Sequence, residues 1–237
     1  MPPAPPIFSF AGFCDPVASW THLAAALAAL MFGWRFVKNG KDGVERAGMA
    51  VFVVGAIFLF AMSGTYHVLD RGTEARGVMQ LLDHAAIWVM IAGTITAVHF
   101  VGFDDAWRWG MTALVWVGAI AGMVLKTVYF DVIDMGTGLW LYVGLGWLGM
   151  VSFLRLRRLH GTEATRPVLL GGVVYTAGAV VEFLEAPWLA RGVIGPHEIF
   201  HAAVVGGAAL HAWGILKLAR RRPDAAAAPV ASALPAT

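Results

Sequence analysis

The sequence has little charge and almost no cysteine, and each shortage excludes a class of protein. Charged residues make up 14% of the 237 positions and hydrophobic residues 59%, whereas a soluble domain of this size needs more charge on its surface. A single cysteine, Cys14, excludes an intramolecular disulfide and a cysteine-rich metal site. The net charge of +2 is too small to indicate a nucleic-acid partner. The composition therefore indicates a polytopic membrane protein.

Long apolar runs are what the sequence has in abundance. A helix needs about 20 residues to cross the roughly 30 Å of hydrocarbon in a bilayer. Runs of this kind lie near Val17–Val37, Gly48–Val68, Val78–Gly102, Trp107–Val128, Gly136–Leu154, Pro167–Leu184 and His197–Leu218. The connections between them are short, so consecutive spans should be antiparallel neighbours. We therefore predict an all-α membrane protein with a bundle of seven transmembrane helices over residues 17–218.

The two ends of the chain differ from this domain. Residues 1–16 form an N-terminal segment that begins MPPAPPIFSF, without basic residues before its first apolar stretch. We therefore expect no cleavable signal peptide. Residues 219–237 lack a helical stripe and are predicted to be a disordered tail.

The basic residues are unevenly divided between the two sides of a seven-span chain. Thirteen of the 17 Lys and Arg residues fall on the side of the C-terminus. The other four are Arg71, Arg76, Lys126 and Arg191. The positive-inside rule then puts the C-terminus in the cytoplasm and the N-terminus outside. We expect a multi-pass protein of a bacterial-type inner (plasma) membrane with this orientation.

Ionisable residues cluster at one depth, at the span ends on the N-terminal, outer side. The residues at this level are His22, His67, Asp83, Glu182, His197 and His201. Placing a charge at mid-bilayer costs about 2.5–3.5 kcal/mol on insertion scales, so such a cluster calls for mutual partners. A shared site is one interpretation; the alternative is that each group lies hydrated at the membrane interface. His99 and His211 lie at other depths and are interpreted as packing or hydrogen-bonding residues.

The segment HEIFH, from His197 to His201, has the form of a metal-binding pair. Two histidines four apart lie on one helix face, and a glutamate after the first is typical of zinc metalloproteases. The extended protease spacing would put the third ligand at Gly207, and His211 is too far along the helix. An intramembrane protease therefore stays an alternative, and His67, at the right depth, is the better third ligand. Glu198 is interpreted as a first-turn acid that suits the helix dipole.

Three histidines and a carboxylate suggest a specific chemistry. Three imidazoles with an open fourth position form a catalytic type of zinc site, so we predict one Zn²⁺ held by His67, His197 and His201. Asp83 could orient a water molecule and act as general base, with Ser63, one turn before His67, as its hydrogen-bonding partner. His84 points about 100° away from Asp83 and is a weaker candidate. Imidazole also suits copper, nickel and iron.

Three stretches also resemble a known family: SGTYH from Ser63, LDHAAIWVMIAGTITA from Leu82 and HEIFHAAVVGGAALH from His197. They are similar to the hemolysin III family, which belongs with the progestin and adipoQ receptors and more remotely with the alkaline ceramidases. The resemblance implies an adiponectin-receptor-like bundle of seven helices. It also implies the metal ligands and site residues already named, His67, His197, His201, Asp83 and Ser63.

The chain departs from the family pattern in two respects. Ile95 and Ala97 stand where the family has a tyrosine and a proline, which removes the source of an expected kink in the third helix. Receptors of the wider family are thought to have a cytoplasmic N-terminus, opposite to the orientation predicted from the basic residues. If the bundle is the same, the metal of this protein faces the exoplasmic side.

Three functions are compatible with these features. The leading one is a metal-dependent hydrolase of lipid amide or ester bonds, similar to a ceramidase, whose substrate is a membrane lipid entering between the helices. The second is a receptor or sensor in which zinc only joins helices. The third is a pore-forming protein, suggested by the family name, although no span has the charged stripe of a water-filled lumen.

Overall fold

The computed structural model describes residues 7–130 and 132–221, and this part of the chain is almost entirely helical. The helices are α1 (Pro16–Val37), α2 (Gly43–Val68), α3 (Glu74–Gly102), α4 (Ala106–Val128), α5 (Met135–Trp147), α6 (Met150–Phe183) and α7 (Pro196–Arg220). The prediction of an all-α membrane protein is confirmed. The first six residues, and all but three residues of the predicted tail 219–237, lie outside the described residues. Helix α7 includes the first two residues of that tail.

Polar residues immediately before the helices define where they start. The Asp42 carboxylate accepts a hydrogen bond from the backbone N–H of Glu45 (2.8 Å) at the start of α2. The Thr73 hydroxyl accepts one from the N–H of Arg76 (3.3 Å) at the start of α3. These contacts satisfy donors that have no partner inside the helix. The apolar run that follows each cap then keeps its backbone hydrogen bonds within the helix, as lipid requires.

Six stretches of the described chain are long and apolar enough to cross a membrane, one fewer than the seven predicted. The difference lies in Gly136–Phe183, a single stretch of 48 residues that contains the predicted fifth and sixth spans. Gly161 interrupts this stretch with φ 75° and ψ 166°, values outside the helical range. The two predicted spans therefore lie in one apolar stretch with a break at Gly161, because the Arg-rich segment between them is helical on both sides of that residue.

Helix α3 is the central element of the bundle. It packs against α2, α4, α5 and α7, and its apolar part is the most buried of the candidate spans. It runs without a break from Glu74 to Gly102, as expected from the presence of Ile95 and Ala97 in place of a tyrosine and a proline. This continuous helix holds Asp83 towards one end of the bundle and His99 near the other.

The end of the bundle opposite to the start of α7 has a different chemistry. Basic side chains there lie over tryptophan rings, which is the composition of a membrane interface. The pairs are Lys38 over Trp34 (4.8 Å to the ring centroid), Arg155 over Trp107 (5.4 Å) and Lys217 over Trp213 (4.9 Å).

Candidate metal centre

The three predicted histidine ligands meet at the end of the bundle where α2 ends and α7 begins. His67 belongs to the last turn of α2, and His197 and His201 to the first two turns of α7. The Nε2 atom of His197 lies 3.2 Å from that of His67 and 3.0 Å from that of His201. The ligand atoms of all three lie within 4.8 Å of one another. These imidazoles could therefore hold one metal ion.

Carboxylates behind two of the rings fix their tautomers. The Nδ1–H of His67 donates to Oδ2 of Asp15 (3.1 Å), and the Nδ1–H of His197 donates to Oε1 of Glu182 (2.9 Å). A carboxylate can only accept, so the proton of each neutral ring is on Nδ1 and the Nε2 lone pairs face each other. A ligand histidine of a zinc site usually donates its other ring N–H to a carboxylate, a backbone carbonyl or water, and His67 and His197 do so here.

The spacing of the nitrogens agrees with such a site. Zn–N bonds of 2.0–2.1 Å at tetrahedral angles place two ligand nitrogens about 3.3 Å apart. The facing Nε2 atoms of His67 and His197, at 3.2 Å, cannot hydrogen-bond because neither carries a proton. A cation held by both nitrogens would replace this repulsion with attraction. The residues present therefore fit a metal ion held by imidazoles.

His197 leaves one side of the cluster open. Its side chain is 39% exposed, whereas that of His67 is 3% exposed. His201 is buried, and its Nδ1 has no hydrogen-bond partner among the described residues. The ring of His22 packs on that of His201 (4.1 Å between centroids), and its Nε2–H donates to the His201 carbonyl (3.4 Å). The open side at His197 gives a fourth ligand or a substrate access to the cluster.

Asp15 is the centre of a charged cluster at the start of α1. Arg71 donates to its Oδ1 (2.6 Å) and Arg76 to its Oδ2 (2.7 Å). Burial by itself raises the pKa of Asp15, but the hydrogen bonds from His67 and Arg76 and the charge of Arg71 outweigh it and hold that pKa well below its usual range. Arg76 also donates to the Leu69 carbonyl. Asp15 is therefore a carboxylate in the folded protein.

The histidine cluster opens into a cavity of about 230 Å³ inside the bundle. Asp83 and Ser63 line this cavity together with His197 and His201, and both are buried. The Ser63 hydroxyl donates to the Asp83 carboxylate. The cavity continues past apolar side chains to Leu156 near the opposite end of the bundle. A carboxylate, a hydroxyl and a candidate metal thus face one largely apolar space.

The other histidines of the spans do not join the cluster. His84 lines the cavity, but its Nδ1–H donates to the Gln80 carbonyl (2.7 Å). His99 donates from Nδ1 to the Ile95 carbonyl (2.9 Å), and His211 donates to that of Gly207 (2.8 Å). His99 and His211 are hydrogen-bonding residues, as expected, and His84, the weaker candidate beside Asp83, is hydrogen-bonded as well.

Glu198 is a helix cap and not part of the candidate site. Its carboxylate accepts from the backbone N–H of Gly195 (2.9 Å), at the start of α7. This contact satisfies a free backbone donor and places a negative charge at the positive end of the helix. Glu198 is therefore a first-turn acid, as the sequence indicated.

Asp15 was not predicted to belong to the site. His22 and Glu182 were placed at the depth of the histidines, but Asp15 immediately precedes the proline that starts α1 and resembles an ordinary N-cap. Nothing in the local sequence distinguishes a capping aspartate from one that contacts another helix. Its role depends on α1 and α2 being adjacent.

Comparisons with known proteins match most of the chain to one family. Residues 13–212 match the family described as Haemolysin-III related. The chain is 24% identical over 184 residues to the Hemolysin-3 homolog of Bacillus subtilis, covering 78% of this chain and 83% of that protein. It is 27% identical over 183 residues to Hemolysin-3 of Bacillus cereus, covering 76% and 80%.

A plant relative extends the comparison. The chain is 29% identical over 209 residues to the heptahelical transmembrane protein ADIPOR2 of Oryza sativa subsp. japonica, covering 80% of this chain and 90% of that protein. The family match begins before Asp15 and extends beyond His201, so it includes every residue of the histidine cluster. The chain therefore belongs to the haemolysin-III-related family of integral membrane proteins, within the group that includes the adiponectin receptors.

Proposed function

We propose that this protein is a zinc-dependent hydrolase of amide or ester bonds in membrane lipids. The observation that supports this most directly is that two of the three clustered histidines, His197 and His201, line one largely apolar cavity together with the buried carboxylate of Asp83. An apolar cavity accepts an acyl chain, and the polar groups at its outer end meet the carbonyl attached to that chain. Neither feature alone would indicate a lipid hydrolase.

The polar residues have separate roles in this proposal. A zinc ion bound by three imidazoles polarises a carbonyl and makes a water molecule more acidic. Asp83 accepts the proton of the attacking water and passes it to the departing nitrogen or oxygen as the C–N or C–O bond breaks. Ser63 holds the Asp83 carboxylate in place through a hydrogen bond. The products are a fatty acid and an amine or an alcohol.

The direct test is hydrolysis by the purified protein. We expect zinc-dependent release of fatty acid from a panel of N-acyl and O-acyl lipids in detergent or in liposomes, with the activity lost on chelation and restored by Zn²⁺. A panel broad in headgroup and chain length that gives no zinc-dependent turnover would contradict the proposal.

The space between α5 and α6 supports entry of the substrate from the lipid. Gly146 of α5 and Gly172 of α6 both line the cavity, and a Cβ built at either position would meet no atom within 4 Å. A long acyl chain could therefore pass between these helices. We expect Gly172→Leu to lower kcat/KM for long-chain substrates about tenfold, with a smaller effect on short chains.

The matched control for Gly172→Leu is Gly110→Leu. Gly110 also has no atom within 4 Å of a built Cβ, but it lies in α4 away from the cavity. Measuring kcat/KM of both variants over a series of acyl-chain lengths shows whether the substrate passes between α5 and α6. Equal losses for short and long chains, or none for either, would mean that the substrate does not use this opening.

A receptor or sensor with a structural metal is the second candidate. The ligands come from α2 and α7, which make few other contacts with each other, so a metal ion would join two helices that are otherwise weakly connected. We expect chelation to lower the thermal unfolding midpoint in detergent. At a free metal concentration 100 times Kd, the bound ion stabilises the folded state by about 2.7 kcal/mol. Loss of stability without any lipid turnover would favour this candidate over the hydrolase, whereas an unchanged midpoint would contradict both.

A further inference from the structure

Asp15 occupies a capping position but does not cap its helix. It is the N-cap residue of α1, a position where aspartate usually accepts a hydrogen bond from the first turn. No side-chain hydrogen bond of this kind is formed. Both carboxylate oxygens are directed elsewhere, to His67, Arg71 and Arg76. Asp15 therefore does not cap α1, because its carboxylate contacts α2, α3 and the connection between them.

The backbone and the side chain of Asp15 both hold His67. The Asp15 N–H donates to the His67 carbonyl (2.9 Å), while the Asp15 carboxylate accepts from the His67 ring (3.1 Å). The preceding residue repeats the link, because the N–H of Cys14 donates to the Val68 carbonyl (3.3 Å). These contacts fix both the position of the imidazole and the rotation of its ring.

Two arginines hold the carboxylate in turn. Arg71 comes from the connection between α2 and α3, and Arg76 from the first turn of α3. The guanidinium of Arg76 lies over the ring of Tyr66 (4.5 Å to the centroid), which restricts its own position. Asp15, 6% exposed, therefore keeps its negative charge in a buried place, and it cannot turn back to cap α1 without leaving an arginine unpaired.

We infer that Asp15 is a positioning residue for the candidate metal centre: held by Arg71 and Arg76, it fixes the His67 ring so that Nε2 points at the metal. The inference rests on the proposed metal site and adds to it a dependence on the N-terminal segment. Asp15 touches neither the ion nor a substrate. It acts through His67, which supplies the one ligand from α2.

The test is the metal affinity of Asp15→Asn, measured by competition of the purified protein with a chelator for Zn²⁺. Loss of a partner behind a ligand histidine typically weakens metal binding 10- to 100-fold, and we expect a loss in this range. With Co²⁺ in place of Zn²⁺, the visible absorption bands of the variant should shift, because the ring of His67 is no longer fixed. Asp15→Glu, which keeps the charge, should recover part of the affinity.

Asp105→Asn is the matched control. Asp105 is also an N-cap aspartate bound to an arginine, Arg155, but at the start of α4 at the other end of the bundle. We expect this variant to bind Zn²⁺ as the unmodified protein does. If Asp15→Asn does not fold, Arg71→Gln replaces it, because Arg71 is 54% exposed and its loss removes a single contact to Asp15. A several-fold loss of affinity is expected there.

The outcomes separate this inference from the proposed function. Unchanged Zn²⁺ affinity and an unchanged Co²⁺ spectrum in Asp15→Asn would overturn the role of Asp15 and leave the metal site intact. Failure of the unmodified protein to bind metal would overturn the site itself, and this inference with it. Equal losses in Asp15→Asn and Asp105→Asn would also overturn it, since they would reveal a general effect of removing a carboxylate that pairs with an arginine.

Discussion

Replacing His201 with alanine is expected to remove nearly all bound metal from the purified protein. Two imidazoles would remain, His67 on α2 and His197 on α7, and a pair of ligands binds an ion far more weakly than three that are already gathered. The loss should exceed the 10- to 100-fold typical of removing an outer partner. Metal content per protein molecule, measured by elemental analysis after dialysis, gives the result directly.

His84→Ala is the control for His201→Ala. His84 lines the same cavity and is also buried, but it is not one of the three clustered histidines. The His84→Ala variant should bind as much metal as the unmodified protein. If His201→Ala retains it as well, the convergence of the three Nε2 atoms does not reflect a metal site, and the proposed chemistry fails with it.

Asp83→Asn is expected to give the opposite combination, a protein that keeps its metal and loses its activity. Asparagine has nearly the same shape as aspartate and can accept a hydrogen bond from Ser63, but it cannot take a proton from water. Removing a general base typically lowers the rate 10²- to 10⁴-fold, and we expect a fall of about that size in the kcat of lipid hydrolysis. Metal content should be unchanged because Asp83 is not in the ligand cluster.

Ser63→Ala provides a graded comparison for Asp83→Asn. It removes the hydrogen bond to Asp83 and leaves the carboxylate in place, so its effect on kcat should be smaller. Simultaneous loss of metal in Asp83→Asn would make Asp83 a ligand and not a base. Full activity in that variant would remove Asp83 from the mechanism while leaving the metal site untouched.

The distribution of polar residues along the spans predicted more of the site than the HEIFH segment did. HEIFH supplies two ligands, because four residues make about one turn of helix. It cannot identify the third, which is 130 positions away in the chain at His67. Depth in the bilayer connected His67 to this pair. In a bundle of antiparallel spans, residues at the same end of different helices lie at the same level. An ionisable side chain at that level costs free energy if it has no partner.

The number of crossings and the contacts behind the ligands were less predictable. The segment around Gly161 is rich in arginine and was expected to be a loop, yet it is helical on both sides of one glycine with a positive φ. Hydropathy divides the stretch here because the arginines lower its average, whereas the backbone hydrogen bonds of a helix continue through polar residues. Asp15 was missed for a related reason, since its partners belong to α2, α3 and the connection between them and not to its own helix.

The sequence by itself determined that the protein spans a membrane, that it is helical, and which end of the bundle carries the histidines. These properties follow from composition and from spacing along single helices. Only the tertiary structure decided which nitrogens face each other, that Asp15 and Glu182 stand behind His67 and His197, and that Asp83 shares a cavity with them. The physical reason is that hydropathy acts within one helix, whereas a ligand set depends on how neighbouring helices are rotated and packed against each other.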